Sequence, residues 1–206
     1  MTNLQAKLLT EHSALFLEPH IEAQNYSFSF DNEGNLEVDT PACKNCRLDA
    51  VAIEENGNRT IIGYAELRII NASQFEDDIL WQLDDEDGDA AAAMSCFDDI
   101  EENYHKYGFY HPYCNFMVCT RLYVDPDWRK LGVASLILKN TLAVFRNFLD
   151  MDDLSVLSWE AIPQENFEDY TQEPTKEDKK LLVEIYKKMG ANHLKSFNHD
   201  HFYINF

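Results

Sequence analysis

The chain has 206 residues, a length that suits one domain able to bury a sizeable core, and 45% of it is hydrophobic. Seventeen Lys and Arg against thirty-seven Asp and Glu leave a formal net charge of −20, which repels nucleic acid and anionic membranes and points to cationic or neutral partners. An odd count of five cysteines and the lack of a basic flank before a long apolar run read as a cytoplasmic protein with reduced thiols. No apolar run reaches the roughly 18 residues of a membrane span.

Leu4, Leu8, Leu15 and Phe16 recur at helical spacing behind Thr2 or Asn3 as cap, and predict an amphipathic helix over residues 3–17. Tyr26, Phe28 and Phe30 alternate with serines before Asn32-Glu33-Gly34-Asn35, and Leu36 and Val38 alternate after it, so a hairpin is expected there. A second hairpin joins Leu48, Val51 and Ile53 to the aliphatic run 61–70 across Glu55-Asn56-Gly57-Asn58, with Cys43 to Cys46 in the loop before it. Twelve carboxylates then fall between Glu76 and Glu102 with no Lys or Arg among them. Ala90 to Ala93, Met94, Phe97 and Ile100 favour a helix in the later part, so residues 74–108 read as an acidic helical insertion.

Apolar residues dominate from Phe116 to Val124 and stop at Asp125-Pro126, whose proline closes the strand. From Lys130 to Leu149 a 3.6-residue stripe of Leu131, Ala134, Leu138, Leu142, Phe145 and Leu149 predicts a long buried helix. Leu154, Val156, Leu157 and Trp159 suggest a further strand. Thr175 with Asp178 makes a capping-box start for a second helix, whose expected stripe is Leu181, Leu182, Ile185, Tyr186 and Met189 and whose C-terminal cap is Gly190. Residues 192–197 and 201–206 make a final strand pair. The expected organisation is a single domain over 1–206: an N-terminal helix and hairpin in 1–45, the acidic insertion, and a core over 113–206.

One segment departs from the charge of the whole, because residues 121–147 contain Arg121, Arg129, Lys130, Lys139 and Arg146 against only Asp125 and Asp127, a local net of +3. A strand ends at Val124 and a helix opens around Gly132, so several amide N–H groups without intrahelical acceptors point out of the helix start beside two cations, as an anion site requires. A glycine there serves tight helix–strand packing equally well. Gly-x-x-x-x-Gly-Lys-Ser/Thr and Gly-x-Gly-x-x-Gly are both absent, which excludes a P-loop and a dinucleotide fingerprint. Cys43-x-x-Cys46 lacks a second pair at zinc spacing, so no metal site is expected. Cys119 reads as a core thiol, since no base adjoins it.

The run Arg121-Leu-Tyr-Val-Asp-Pro-Asp-Trp-Arg-Lys-Leu-Gly-Val-Ala-Ser135 resembles the strand, proline and Gly-containing loop of the GNAT superfamily of acyl-CoA-dependent N-acetyltransferases, and Ile185-Tyr-Lys-Lys-Met-Gly-Ala191 resembles that family's later motif in the right order. The resemblance implies an α/β (α+β) fold with a mixed, mostly antiparallel sheet flanked by helices. It further implies that Leu131, Gly132, Val133, Ala134 and Ser135, with Arg129 and Lys130, bind the pyrophosphate of acetyl-CoA. Leu122, Tyr123 and Val124 would pair with the pantetheine arm in a gap opening between 117–124 and 156–161. Tyr186 would protonate the departing thiolate. The family's usual carboxylate is missing from Asn115-Phe-Met-Val-Cys-Thr-Arg121, and Glu160 is the substitute base.

The expected activity is acetyl transfer to a primary amine, with the acidic insertion drawing in a cation, no nucleic acid or membrane partner, and homodimerisation allowed. The rival readings are a non-catalytic acyl-CoA-binding regulatory protein and an acidic inhibitor that imitates nucleic acid.

Overall fold

The structure, a computed structural model, describes residues 14–21, 27–30, 36–39, 43–70, 115–152, 154–161, 175–196 and 199–205. In chain order these form β1 (Ala14–Ile21), β2 (Ser27–Phe30), β3 (Leu36–Asp39), β4 (Cys43–Ile53), β5 (Arg59–Ile70), β6 (Phe116–Val124), a 3₁₀ turn (Pro126–Trp128), α1 (Val133–Leu149), β7 (Val156–Glu160), α2 (Lys176–Lys188), β8 (Asn192–Ser196) and β9 (His199–Asn205). Seven strands make one sheet in the order β1-β4-β5-β6-β7-β9-β8, and β2 pairs with β3 alone. Every neighbouring pair is antiparallel except β6 with β7. This is the expected mixed α/β sheet with both anticipated hairpins and the closing strand pair.

The two crossovers, β6 through α1 to β7 and β7 through α2 to β8, join parallel strands and move in the same direction across the sheet. Right-handed connections therefore put both helices on one face. The packing agrees. Leu48, Ala50, Ala65, Leu67, Met117 and Leu157 share a single apolar cluster with Val133, Ile137, Leu138, Leu142 and Phe145 of α1 and Tyr186 of α2. Each such large side chain, fully buried, contributes about 1.5–3 kcal/mol. The opposite face carries Arg47, Asp49, Tyr64 and Glu66 by alternation, and Arg121 and Tyr123 of β6 join them because a register shift between Glu66 and Leu67 reverses the parity of that strand.

Several expectations change. The segment read as the end of a helix is β1, antiparallel to β4. Pro19 forbids a helix interior there but is tolerated on an edge strand, and β1 is the sheet's edge. Residues 3–13 and the acidic insertion 74–108 lie outside the described residues. Cys43 to Cys46 open β4 rather than a loop, and Cys46 is buried in the core. The long helix begins at Val133, not Lys130, because Lys130 (φ 62°) and Gly132 (φ 100°) are in left-handed backbone that a right-handed helix cannot include.

In α2 the packed side is Leu182, Val183, Tyr186 and Met189, while Leu181 and Ile185 face solvent. The helix start follows the expected capping box, with reciprocal Thr175 and Asp178 bonds. Lys179 on α2 lies 3.8 Å from Asp200 on β9, which in turn holds His193 of β8 at 2.8 Å.

Gly63 sits where β6 and the start of α1 both crowd β5. A Cβ there would sit 2.8 Å from the Tyr123 carbonyl oxygen and 3.2 Å from Val133 Cγ1. Backbone cannot yield as a side chain does, so Gly63→Ala is expected to cost about 1–3 kcal/mol. Urea unfolding of the variant checks this, and an unchanged midpoint would show that the contact is slack.

Candidate functional site

β6 has nine residues, but β7 accompanies only four of them: Phe116 to Cys119 face Val156 to Trp159. Beyond that point β6 keeps β5 on one side, through Glu66–Arg121, Ala65–Leu122, Tyr64–Tyr123 and Gly63–Val124, while β7 continues beside β9 to Glu160–His201. The two parallel strands part after Cys119 and Trp159. The cause is local. Between Glu66 and Leu67 the register shifts, leaving Thr120 as an extra residue whose hydroxyl donates to the Glu66 carbonyl at 3.3 Å. A bulge bends its strand and sharpens the twist, which turns β6 away from β7.

At its far end β6 leads into a tight turn built to present backbone amides. Asp125 accepts from the Asp127 amide at 3.0 Å, Trp128 is buried as the anchor, and Arg129 Nε donates to the Val124 carbonyl at 3.0 Å. Gly132 then serves as N-cap with no side chain to bond the first turn, and the first intrahelical bond runs from the Leu136 amide to the Gly132 carbonyl. The amides of Val133, Ala134 and Ser135 therefore precede the helical bonding pattern, at the positive end of a 17-residue helix. A Cβ on Gly132 would meet nothing within 4 Å, so its backbone conformation, rather than crowding, calls for glycine. Arg129 and Lys130 are exposed beside it.

At the split, three side chains gather on the helical face. Cys119 and Trp159 are the last cross-strand pair, and Tyr186 of α2 lies edge-on to Trp159 at 5.5 Å and against Phe202 at 5.2 Å. Burial pushes the Cys119 thiol up to about 12, with a backbone hydrogen bond from Arg121 acting in the other direction and Glu66 adding a smaller rise; the thiol also donates to the Arg121 carbonyl at 3.3 Å. Burial likewise raises the Tyr186 phenol, and nearby Cys119 raises it further. Both groups stay protonated at neutral pH.

The opposite face of the split is polar and aromatic. Glu160, one residue beyond the last β6–β7 pair, turns to that face by alternation. Arg121 Nη1 pairs with Glu66 at 3.1 Å, Tyr64 stacks on Tyr123 with centroids 5.3 Å apart, and Arg47 lies 3.9 Å above the Tyr64 ring while its Nε bonds Asp49 at 2.6 Å.

The residues expected to hold a pyrophosphate, 129–135, are thus contiguous around one helix start, and Leu122, Tyr123 and Val124 lie on the part of β6 that β7 leaves. The Val124 carbonyl already serves Arg129. Tyr186 and Glu160 meet at the same split from opposite faces. The gap opens at Thr120, later than the expected start at Met117. Sequence reasoning missed Trp159, Glu66 and the Tyr64–Tyr123 stack. The Glu66–Arg121 pair spans 55 positions and depends on a bulge, so no local pattern announces it.

The chain matches no protein-family model and no curated protein. Among solved structures it resembles Arabidopsis thaliana NAA60 in complex with acetyl-CoA at 12% identity and TM-score 0.40, over 77% of this chain and 75% of that one. It also resembles Drosophila melanogaster polyamine N-acetyltransferase at 11% identity and TM-score 0.43, over 80% and 75% of the two chains. The KacTA–DNA complex is similar at 10% identity and TM-score 0.44, over 92% and 93%.

A thiol raised from 9.0 to about 12 has about a thousandfold less thiolate at pH 8. Iodoacetamide with peptide mapping should modify Cys119 at least that much more slowly than a free peptide thiol, and rapid labelling would contradict the buried placement. Because the folded value lies above the unfolded one, the associated stability is complete below pH 9 and lost as pH rises toward 12. Part of that alkaline loss should be missing from Cys119→Ala.

Proposed function

We propose that the protein transfers an acetyl group from acetyl-CoA to a primary amine. The observation that carries this reading is the combination of a split parallel strand pair with an uncapped helix start at the other end of the same strand. Five residues of β6, Thr120 to Val124, lie between the two, about 16 Å at 3.3 Å per residue. That span suits an extended pantetheine arm, with the pyrophosphate at the helix start and the thioester at the split. The resemblance of 121–135 and 185–191 to GNAT motifs points the same way.

In this reading the amides of Leu131 to Ser135 and the cations Arg129 and Lys130 hold the pyrophosphate. Leu122, Tyr123 and Val124 add the pantetheine amides to the free side of β6 as a strand would be added. The amine approaches from the polar face, where Glu160, directly or through water, takes its proton. The neutral nitrogen attacks the thioester carbonyl, a C–N bond forms, and the C–S bond breaks from the tetrahedral intermediate. The leaving thiolate takes the proton of Tyr186 on the helical face, and the proton that the nitrogen sheds as the amide forms restores the phenol by way of water. Burial raises the Tyr186 phenol and makes it a weaker acid, so the transfer relies on the same burial raising the basicity of the departing thiolate. Base and acid stand on opposite sides of the sheet, so the proton is removed on one side and delivered on the other.

The chain's net charge of −20 favours a cationic amine by raising the local concentration of cations. Polyamines, aminoglycosides and protein amines all carry that group. Acetyl-CoA and CoA should raise the melting temperature where ATP does not, and an amine panel should release CoA. Tyr186→Phe is expected to lower kcat by about 10²–10⁴-fold with acetyl-CoA affinity unchanged. Failure of acetyl-CoA to bind at all would overturn the proposal. Tight binding without turnover on any amine would mark a non-catalytic acyl-CoA-binding protein instead.

A further inference from the structure

The indole of Trp159 is 3% exposed, and its Nε1–H has no acceptor among the described residues. Buried donors in folded proteins are almost always bonded, and one left alone asks for an explanation. The Ser158 hydroxyl on the other face of β7 is in the same state. A hydroxyl turns about its C–O bond toward whatever weak acceptor is near. An indole N–H is fixed by its ring and cannot.

The ring is held firmly. Tyr186 meets it edge-on at 5.5 Å and Phe202 stacks at 6.2 Å. Its residue forms the last β6–β7 pair with Cys119, so the orphaned donor belongs to the residue at which the split begins. The carbonyl that the Cys119 thiol meets there is that of Arg121, at 3.3 Å, and Trp159 Nε1 does not bond it.

We propose that Trp159 Nε1–H donates a hydrogen bond to a carbonyl oxygen of the ligand in the split, making Trp159 a ligand-binding residue. This rests on the acyl-CoA reading, in which two carbonyl acceptors reach that depth: the thioester carbonyl and that of the pantetheine amide nearest the sulfur. An orphan donor kept buried in the free protein and bonded only on binding converts its desolvation into ligand affinity.

Trp159→Phe keeps an aromatic ring against Tyr186 and Phe202 and removes the donor. The variant should bind acetyl-CoA about tenfold more weakly by calorimetry, the loss expected for one hydrogen bond. A loss confined to acetyl-CoA assigns the bond to the thioester. An equal loss with CoA assigns it to the amide. A second measurement uses the intact protein: with ¹⁵N-labelled indoles, the Trp159 Nε1–H resonance, assigned through Trp81→Phe and Trp128→Phe, should move downfield on titration with acetyl-CoA or CoA. Wild type that binds both ligands with a stationary resonance, and a variant that binds both within twofold of wild type, would overturn the inference and leave the acyl-CoA reading standing. Wild type that binds neither ligand would overturn the reading itself and this inference with it.

Discussion

The structure depends on one backbone constraint: β6 must satisfy two neighbours over its first four residues and only one over the remaining five. Sheets ordinarily avoid an interior edge, because unpaired N–H and C=O groups are costly away from water and adhesive toward other strands. Here the bulge at Thr120 imposes such an edge, and the sheet tolerates it because β5 and β9 hold the diverging strands on their outer sides. The gap is therefore a property of hydrogen-bond register, fixed by the main chain. Side chains at its mouth are placed by alternation and by the extra residue Thr120: Cys119 and Trp159 to the helical side, Arg121 and Glu160 to the other.

The helix start at the other end of β6 follows from a second local constraint. Left-handed backbone at Lys130 and Gly132 delays α1 until Val133 and leaves its first turn without a side-chain cap. Burial of Trp128 and the Arg129 bond to Val124 hold that turn against the strand end. The positive end of the helix and two exposed cations then sit within a chain of net charge −20. At physiological ionic strength fields decay over about 8 Å, so the helix start and the two cations next to it dominate the local field while distant carboxylates are screened.

How much of this was legible depends on whether the determinant is local. The hairpin across Asn56-Gly57 and the Thr175–Asp178 capping box announce themselves within a few residues, and both formed as read. The strand end, turn and helix start around Gly132 were legible from proline, glycine and the apolar stripe, although the helix boundary was misplaced by three residues because φ signs are invisible in an apolar periodicity. β1 was misread because its apolar run satisfies helix and strand spacing alike, and the deciding fact, pairing with Val51 and its neighbours, lies over thirty positions away. Trp159 looked like ordinary core. Its unbonded nitrogen emerges only when every surrounding acceptor has been located. Likewise the exposure of Leu181 and Ile185 reflects which side of α2 meets the sheet, a tertiary choice that the stripe alone leaves open.

The most direct measurement of the central claim is amide hydrogen–deuterium exchange with and without acetyl-CoA. If the split strand and the uncapped helix start form one elongated site, the ligand slows exchange together at the amides of 131–135 and along 122–124, leaving the β1–β4 pair unchanged. Protection at neither segment under saturating ligand, or at the helix start alone with 122–124 exchanging as before, would contradict the account.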